Sequence, residues 1–360
     1  MASLNHGEED VCLNQETKTF LRSIASRIEA LHIDIEDVLM FYQEVASGVI
    51  SNSTPRHITE LITDYPGCDT FIPIDDHTGR DYIDSLKLPI HRLELDKIFD
   101  SIAILDISGL YPQWTNTAYR GLVDLRIVDL RMPPRSHERR SLSELQLITI
   151  LKASPELRIL HFGYPIIGRL QSPFRVALNH LEVLRIIPDS PELGTHGVLR
   201  LIAPGSKPLR LTIQRSYYGQ QVIDSRHIAD TESFLTRARV EIFYVSRYSL
   251  PEKFFQESSH LKILILENHC MLKALLPGGR HSEPPISPPT IEYCYLLECS
   301  LELSRFYSMV RQCSVQRIVS FRCHFYFNRQ QVAQEIVQQE LARICPVVEF
   351  TYDRPTLTTD

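Results

Sequence analysis

The sequence predicts an α/β fold in which short parallel strands and single helices alternate along the chain and stack into a solenoid. Three observations lead there. In residues 141–162, Leu145, Ile148 and Leu151 recur at helical spacing, and Leu157, Leu160 and Phe162 then follow in the spacing Leu-x-x-Leu-x-Leu. Apolar strands of this kind return from Ile90 onward at intervals of roughly 20 to 35 residues. Helix-to-strand junctions are also punctuated alike, by Pro155 after Leu151-Lys-Ala-Ser, by Pro208 after Lys207, and by Pro346 after Leu341-Ala-Arg-Ile-Cys. Proline lacks an N–H and biases its predecessor towards extended backbone, so each of these junctions closes a helix immediately before a strand.

Taken in order, residues 1–12 are expected to be disordered. Residues 15–31 form a helix through Phe20, Leu21, Ile24, Ile28 and Leu31, and a second helix runs through Ile35, Val38, Leu39, Tyr42 and Val45 to Gly48. Residues 51–85 read as loops around a short helix at 57–63. Residues 13–89 are therefore expected to be an acidic helical head with its linker, and residues 90–354 the solenoid. Strands centre on Leu93/Leu95, Leu105/Ile107, Leu125/Ile127, Leu160/Phe162, Leu184/Ile186, Leu209/Leu211, Ile242/Tyr244, Leu264/Leu266, Tyr293/Tyr295, Ile318/Ser320 and Val348/Phe350. Helices are expected at 141–152, 195–203, 230–238, 301–313 and 329–344, the first opened by a capping box of Ser141 and Glu144. The fold class is thus an irregular leucine-rich-repeat solenoid with parallel strands on the concave face and helices on the convex face. Two segments interrupt the rhythm, a basic loop at 132–140 and a proline-rich insertion at 277–289.

The net charge of −6 divides unevenly. Residues 1–89 carry 16 acidic and 6 basic side chains, and residues 90–360 carry 28 acidic and 32 basic ones. No run of 18 apolar residues exists, and Glu8, Glu9 and Asp10 stand where a signal peptide needs a basic start, so a cytoplasmic or nuclear protein without a membrane is expected. Eight cysteines without a Cys-x-x-Cys pair read as reduced thiols. The chain has no Gly-x-Ser-x-Gly elbow, no phosphate loop and no His-Glu-x-x-His. Asp75, Asp76, Asp81 and Asp84 lack calcium-loop spacing, and the pairs His269-Cys270 and Cys323-His324 sit on different repeats. Arg135, Arg139 and Arg140 lie beside Glu138 without stacking aromatics, a poor nucleic-acid patch. The expectation is no enzyme, no cofactor, no metal and no nucleic acid, with protein as the partner.

At Gly121-Leu-Val-Asp-Leu-Arg-Ile, Ile150-Leu-Lys-Ala-Ser-Pro-Glu-Leu-Arg-Ile-Leu-His-Phe, Leu181-Glu-Val-Leu-Arg-Ile and Leu261-Lys-Ile-Leu-Ile-Leu, the chain resembles the repeat region of fungal F-box-like leucine-rich-repeat proteins. The resemblance spans residues 90–350. It implies substrate recognition for a cullin-type ubiquitin ligase, with the cullin adaptor as a partner, and a free-standing scaffold as the alternative. The three-helix F-box of that family usually opens with Leu-Pro, whereas here the Leu-Pro within residues 1–89 is Leu88-Pro89. The family's turn asparagine or cysteine falls on Leu130, Pro165, Asp189, His269 and Cys323, of which Cys323 fits.

In a Leu-x-x-Leu-x-Leu strand the leucines point inward, so the residue between the last two faces out along the concave surface. That position gives Arg126, His161, Arg185, Arg210, Phe243, Ile265, Cys294 and Val319, a row that starts basic and ends apolar. These residues, Cys294 apart, are the candidate protein-binding set.

Overall fold

The computed structural model describes residues 14–34, 45, 48–64, 70–71, 91–128, 142–171, 174–187, 197–214, 225–247, 259–269 and 290–356. The expectations for residues 1–12, most of 35–48, the acidic aspartates 75–84, the loop 132–140 and the insertion 277–289 lie outside the described residues. The chain forms two compact units, Met1–Arg140 and Ser141–Asp360.

The first unit carries four parallel strands in the order β1 (Ala30–Asp34), β2 (Glu60–Asp64), β3 (Ile104–Ser108) and β4 (Asp124–Val128). Their registers align Leu31, Leu61, Leu105 and Leu125 in one inward row, and Ile33, Thr63, Ile107 and Ile127 in the next. Thr63 is buried in that apolar row because its hydroxyl donates to Leu110 O at 2.8 Å. Helix α1 (Gln15–Ala25) starts where Asn14 accepts from Thr17 N, and α2 (Arg92–Phe99) starts where His91 accepts from Leu93 N.

This unit corrects four expectations. The first helix stops at Ala25, so Leu31 belongs to β1; residues 60–63 of the supposed short helix at 57–63 lie in β2. Leu93 and Leu95 lie on α2, not on a strand, because Leu95, Ile98 and Phe99 complete a helical stripe and are buried. The stretch 13–89 is consequently not a helical head, since β1 and β2 pair in register with each other and β2 with β3.

The second unit carries eight parallel strands in chain order: β5 (Ile159–Gly163), β6 (Val183–Ile186), β7 (Leu209–Gln214), β8 (Val240–Ser246), β9 (Ile263–Glu267), β10 (Tyr293–Leu297), β11 (Arg317–Phe321) and β12 (Val347–Thr351). Helices α3 (Glu144–Lys152), α4 (Gly197–Leu201), α5 (Ser225–Leu235), α6 (Leu303–Gln312) and α7 (Gln334–Leu341) fall in or near the five helical segments read from sequence. Each strand joins its immediate neighbour in the same direction. Parallel neighbours are joined by crossovers of one hand, which puts the described helices on one side of the sheet, as Phe306 of α6 shows by reaching the inward Phe350 through Phe325.

Inward residues form two rows, Leu160, Leu184, Leu211, Phe243, Leu264, Cys294, Ile318, Val348 and Phe162, Ile186, Ile213, Val245, Leu266, Leu296, Ser320, Phe350. Three residues before each member of the first row stands another small or apolar side chain, including the buried Leu157, Leu181, Val240, Leu261, Ile291, Val315 and Cys345. The same spacing holds in the first unit with Ile58, Ile102 and Leu122. Neighbouring rungs cover one another's apolar positions, which no single rung can do alone.

The capping box of α3 is Ser143 with Gln146, two residues later than expected. That shift frees Glu144, which is buried and pairs with Arg200 of α4 while accepting from Leu170 N at 2.6 Å; Arg200 also donates to Leu170 O at 3.1 Å. A charge pair in an apolar interior persists only when such bonds satisfy it.

Candidate protein-docking face

Side chains alternate along a strand, so the register fixes which residues reach the helix-free face. In the second unit the middle outward row is His161, Arg185, Thr212, Tyr244, Ile265, Tyr295, Val319 and Glu349. Beside it runs Ile159, Val183, Arg210, Ile242, Ile263, Tyr293, Arg317 and Val347.

The structure therefore places His161, Arg185, Ile265 and Val319 in the expected row and Arg210 one position along on the same face. Arg185 donates to Gln214 at 2.8 Å across the rung. Phe243 is misplaced by the sequence reading: it is fully buried and points inward, as does Cys294. In β8 the misreading took Ile242 and Tyr244 for the core pair, whereas Val240, Phe243 and Val245 carry the Leu-x-x-Leu-x-Leu frame. Leu209 pairs with Val240 but Arg210 with Ile242, so Glu241 is an extra residue, tied to Arg239 at 2.8 Å and Lys262 at 2.9 Å. In β10 the misreading took the tyrosines for the core pair, whereas Ile291, Cys294 and Leu296 carry the Leu-x-x-Leu-x-Leu frame.

The consequence is an aromatic and aliphatic outer face. Tyr293 and Tyr295 stack with centroids 5.8 Å apart and planes 7° apart, and the Arg317 guanidinium lies 5.5 Å from the Tyr293 ring. Burial, followed by the neighbouring Tyr293, raises the Tyr295 phenol above its usual value, which keeps it neutral. Tyr244, Ile265, Leu297 and Phe321 form a buried cluster against which Ile242, Ile263 and Tyr295 pack half-exposed. Ile265 and Val319, though outward in register, are only 3% and 8% exposed.

The end of the chain passes over part of this cluster. After β12 the Thr351 hydroxyl accepts from Asp353 N at 3.2 Å, turning the backbone, and Arg354 then pairs with Glu267 at the end of β9. Three strand spacings of about 4.8 Å separate β12 from β9, a span that three residues and an arginine side chain can reach. Leu297 and Phe321 lie between, in the same register row as Glu267 and Thr351. Tyr244 also donates its hydroxyl to Glu267, so the carboxylate sits on an apolar surface with both a phenol and a guanidinium as partners.

In the first unit the corresponding face is acidic. Arg126 is held by Asp124 at 2.9 Å and by Asp106 at 3.7 Å, with Glu60 and Asp64 on the neighbouring strand. Burial raises the Asp106 carboxyl above its usual value, opposed by Arg126 and reinforced by Asp124.

Signals for the missed residues existed. Val240, Phe243 and Val245, like Ile291, Cys294 and Leu296, fit the repeat spacing and put Tyr244 and Tyr295 outside. Among the described residues, no group of three histidine, cysteine or acidic side chains converges as a metal site, and no helix is long and apolar enough to cross a membrane. No protein-family model matches the chain, and no curated protein matches it either.

Proposed function

We propose that this chain is an irregular leucine-rich-repeat solenoid that works as a non-enzymatic protein-binding scaffold, its docking surface being the helix-free face of the second unit. The observation that carries the reading is the half-exposed set Ile242, Ile263, Tyr293 and Tyr295 with Arg317, which among the described residues no helix covers. Tyrosine, arginine and aliphatic side chains grouped in this way supply most of the binding energy at protein interfaces. Arg185 and Arg210 on the same face extend it with positive charge, suited to an acidic stretch of the partner.

Two versions of this role differ in what else the chain contacts. Substrate recognition for a cullin-type ubiquitin ligase follows from the resemblance of the repeats; a free-standing scaffold does not need the adaptor. The strands β1 and β2 favour the second, because Ala30–Asp34 and Glu60–Asp64 belong to the parallel sheet and not to a helical module. The test is affinity capture from cells with the full chain, Tyr293→Ser/Tyr295→Ser and Arg185→Glu/Arg210→Glu. A partner retained by the wild type and lost from both variants, each shown folded by circular dichroism, is the expected result. Equal recovery by all three proteins overturns the assignment of the face, and co-purification of the cullin adaptor restores the ligase version.

A further inference from the structure

Each of the strands β8, β9, β10 and β11 is followed by a residue in the left-handed region, Arg247, Asn268, Glu298 and Arg322, with φ between 49° and 57°. Asn268 N donates to Leu297 O at 2.8 Å and Glu298 N to Phe321 O at 2.8 Å, so the turns stack as a ladder. The next residue on three successive rungs is His269, Cys299 and Cys323, the place where the repeat spacing asks for a side chain that satisfies turn backbone. Cys299 therefore belongs to this series beside Cys323.

The two thiols are direct neighbours. Leu297 and Phe321 are register partners, and His324 N donates to Cys299 O at 2.8 Å, so Cys299 and Cys323 occupy the same place on adjacent rungs. Cys299 N donates to the Cys323 sulfur at 3.4 Å. Parallel neighbours about 4.8 Å apart fall inside the Cα separation of about 4.4 to 6.8 Å that a disulfide spans. Their surroundings differ: Cys299 is fully buried, whereas Cys323 is half-buried.

From this placement we propose that Cys323 and Cys299 are a peroxide-oxidisable dithiol, Cys323 reacting first and Cys299 resolving it. The Cys323 thiolate attacks one oxygen of a hydroperoxide. The S–O bond forms, the O–O bond breaks, and the departing alkoxide or hydroxide takes a proton; sulfur loses two electrons and the peroxide gains them. The Cys299 thiol then gives up its proton and attacks the Cys323 sulfenic sulfur, forming the S–S bond and releasing the hydroxyl as water. Two thiols and one hydroperoxide thus become one disulfide, one alcohol or water, and one water. The division of labour agrees with the acidities. The Cys299 S–H bond, acting against burial, lowers the Cys323 thiol to about 7, and burial pushes Cys299 well above its usual value. The bond would fasten the turns that follow Leu297 and Phe321, both members of the cluster under the docking face.

The test exposes the purified, reduced full chain to one equivalent of hydrogen peroxide, then denatures, alkylates and maps the peptides. The expected product is a Cys299–Cys323 linked peptide reversed by dithiothreitol, with two of the eight cysteines withdrawn from alkylation. Cys299→Ser, which keeps a hydrogen-bond donor beside Cys323 but cannot resolve it, should lose the link and instead carry a dimedone adduct at position 323. Linkage through any other cysteine, or an unlinked Cys323 in the wild type with no dimedone adduct in Cys299→Ser, overturns the proposal.

Discussion

Replacing Phe243 by alanine tests the rung geometry where sequence and structure diverge most. Phe243 has no exposed surface and occupies the inward row between Leu211 and Leu264. Truncating such a side chain removes its transfer free energy and leaves a cavity, a combined cost of about 3 to 5 kcal/mol. For a unit of this size each kcal/mol lowers the melting temperature by about 2 to 4 °C, so a fall of about 6 to 20 °C is expected. Tyr295→Ala takes a half-exposed ring off the outer face and should cost less than about half as much, because little cavity forms and water already reaches the site. Urea unfolding followed by circular dichroism measures both. If Tyr295→Ala proves as damaging as Phe243→Ala, the assignment of inner and outer rows is wrong.

Three further outcomes follow from the same contacts. Arg200→Ala leaves Glu144 buried and unpaired and should cost about 3 to 5 kcal/mol, most of it recovered in the double variant Glu144→Leu/Arg200→Met, as read from urea midpoints. Arg354→Ala removes a pair whose arginine is about half exposed, so stability should change by less than about 1 kcal/mol while proteolysis within residues 352–356 accelerates; an unchanged cleavage rate refutes the anchoring role of Glu267. Asp106 has a folded-state pKa above its usual 3.8 because burial outweighs Arg126, so the native state binds more protons than the unfolded one just above that pH and stability falls as pH rises through the window. Asp106→Asn should therefore melt higher than the wild type at pH 7, with the difference closing below about pH 4; a lower melting temperature at pH 7 makes the Arg126 pairing the dominant effect.

Much of the fold was legible because burial in a parallel stack leaves a plain mark. Leu157-x-x-Leu160-x-Phe162 and its counterparts need no partner outside the next rung, and Pro155 and Pro346 follow the ends of α3 and α7; Pro208 closes no helix, because α4 ends at Leu201 and a short strand, Ile202–Pro204, follows it. What failed had local causes. Leu93 and Leu95 alternate as a strand does, and only Ile98 and Phe99 reveal the helix that His91 caps. β1 and β2 were hidden because Leu31 and Ile33 continue the apolar spacing of α1, and because Thr63 stands where an aliphatic residue is usual and is paired through Leu110, a contact remote in sequence. The outer face was misread at two strands. Tyrosines score as core residues in an apolar run, so Ile242 with Tyr244 and Tyr293 with Tyr295 were taken for inward pairs although the frames run through Phe243 and Cys294. Arg354 and Glu267, far apart in the chain, had no pattern to join them.

The central claim is that partners dock on the side of the second unit that none of the described helices covers. A photo-crosslinking amino acid placed at position 295 on that side, or at position 145 on exposed α3, measures this directly in cells. Adducts to a protein partner from position 295 and none from position 145 are predicted. Adducts from position 145 alone, or none from position 295, would contradict the account.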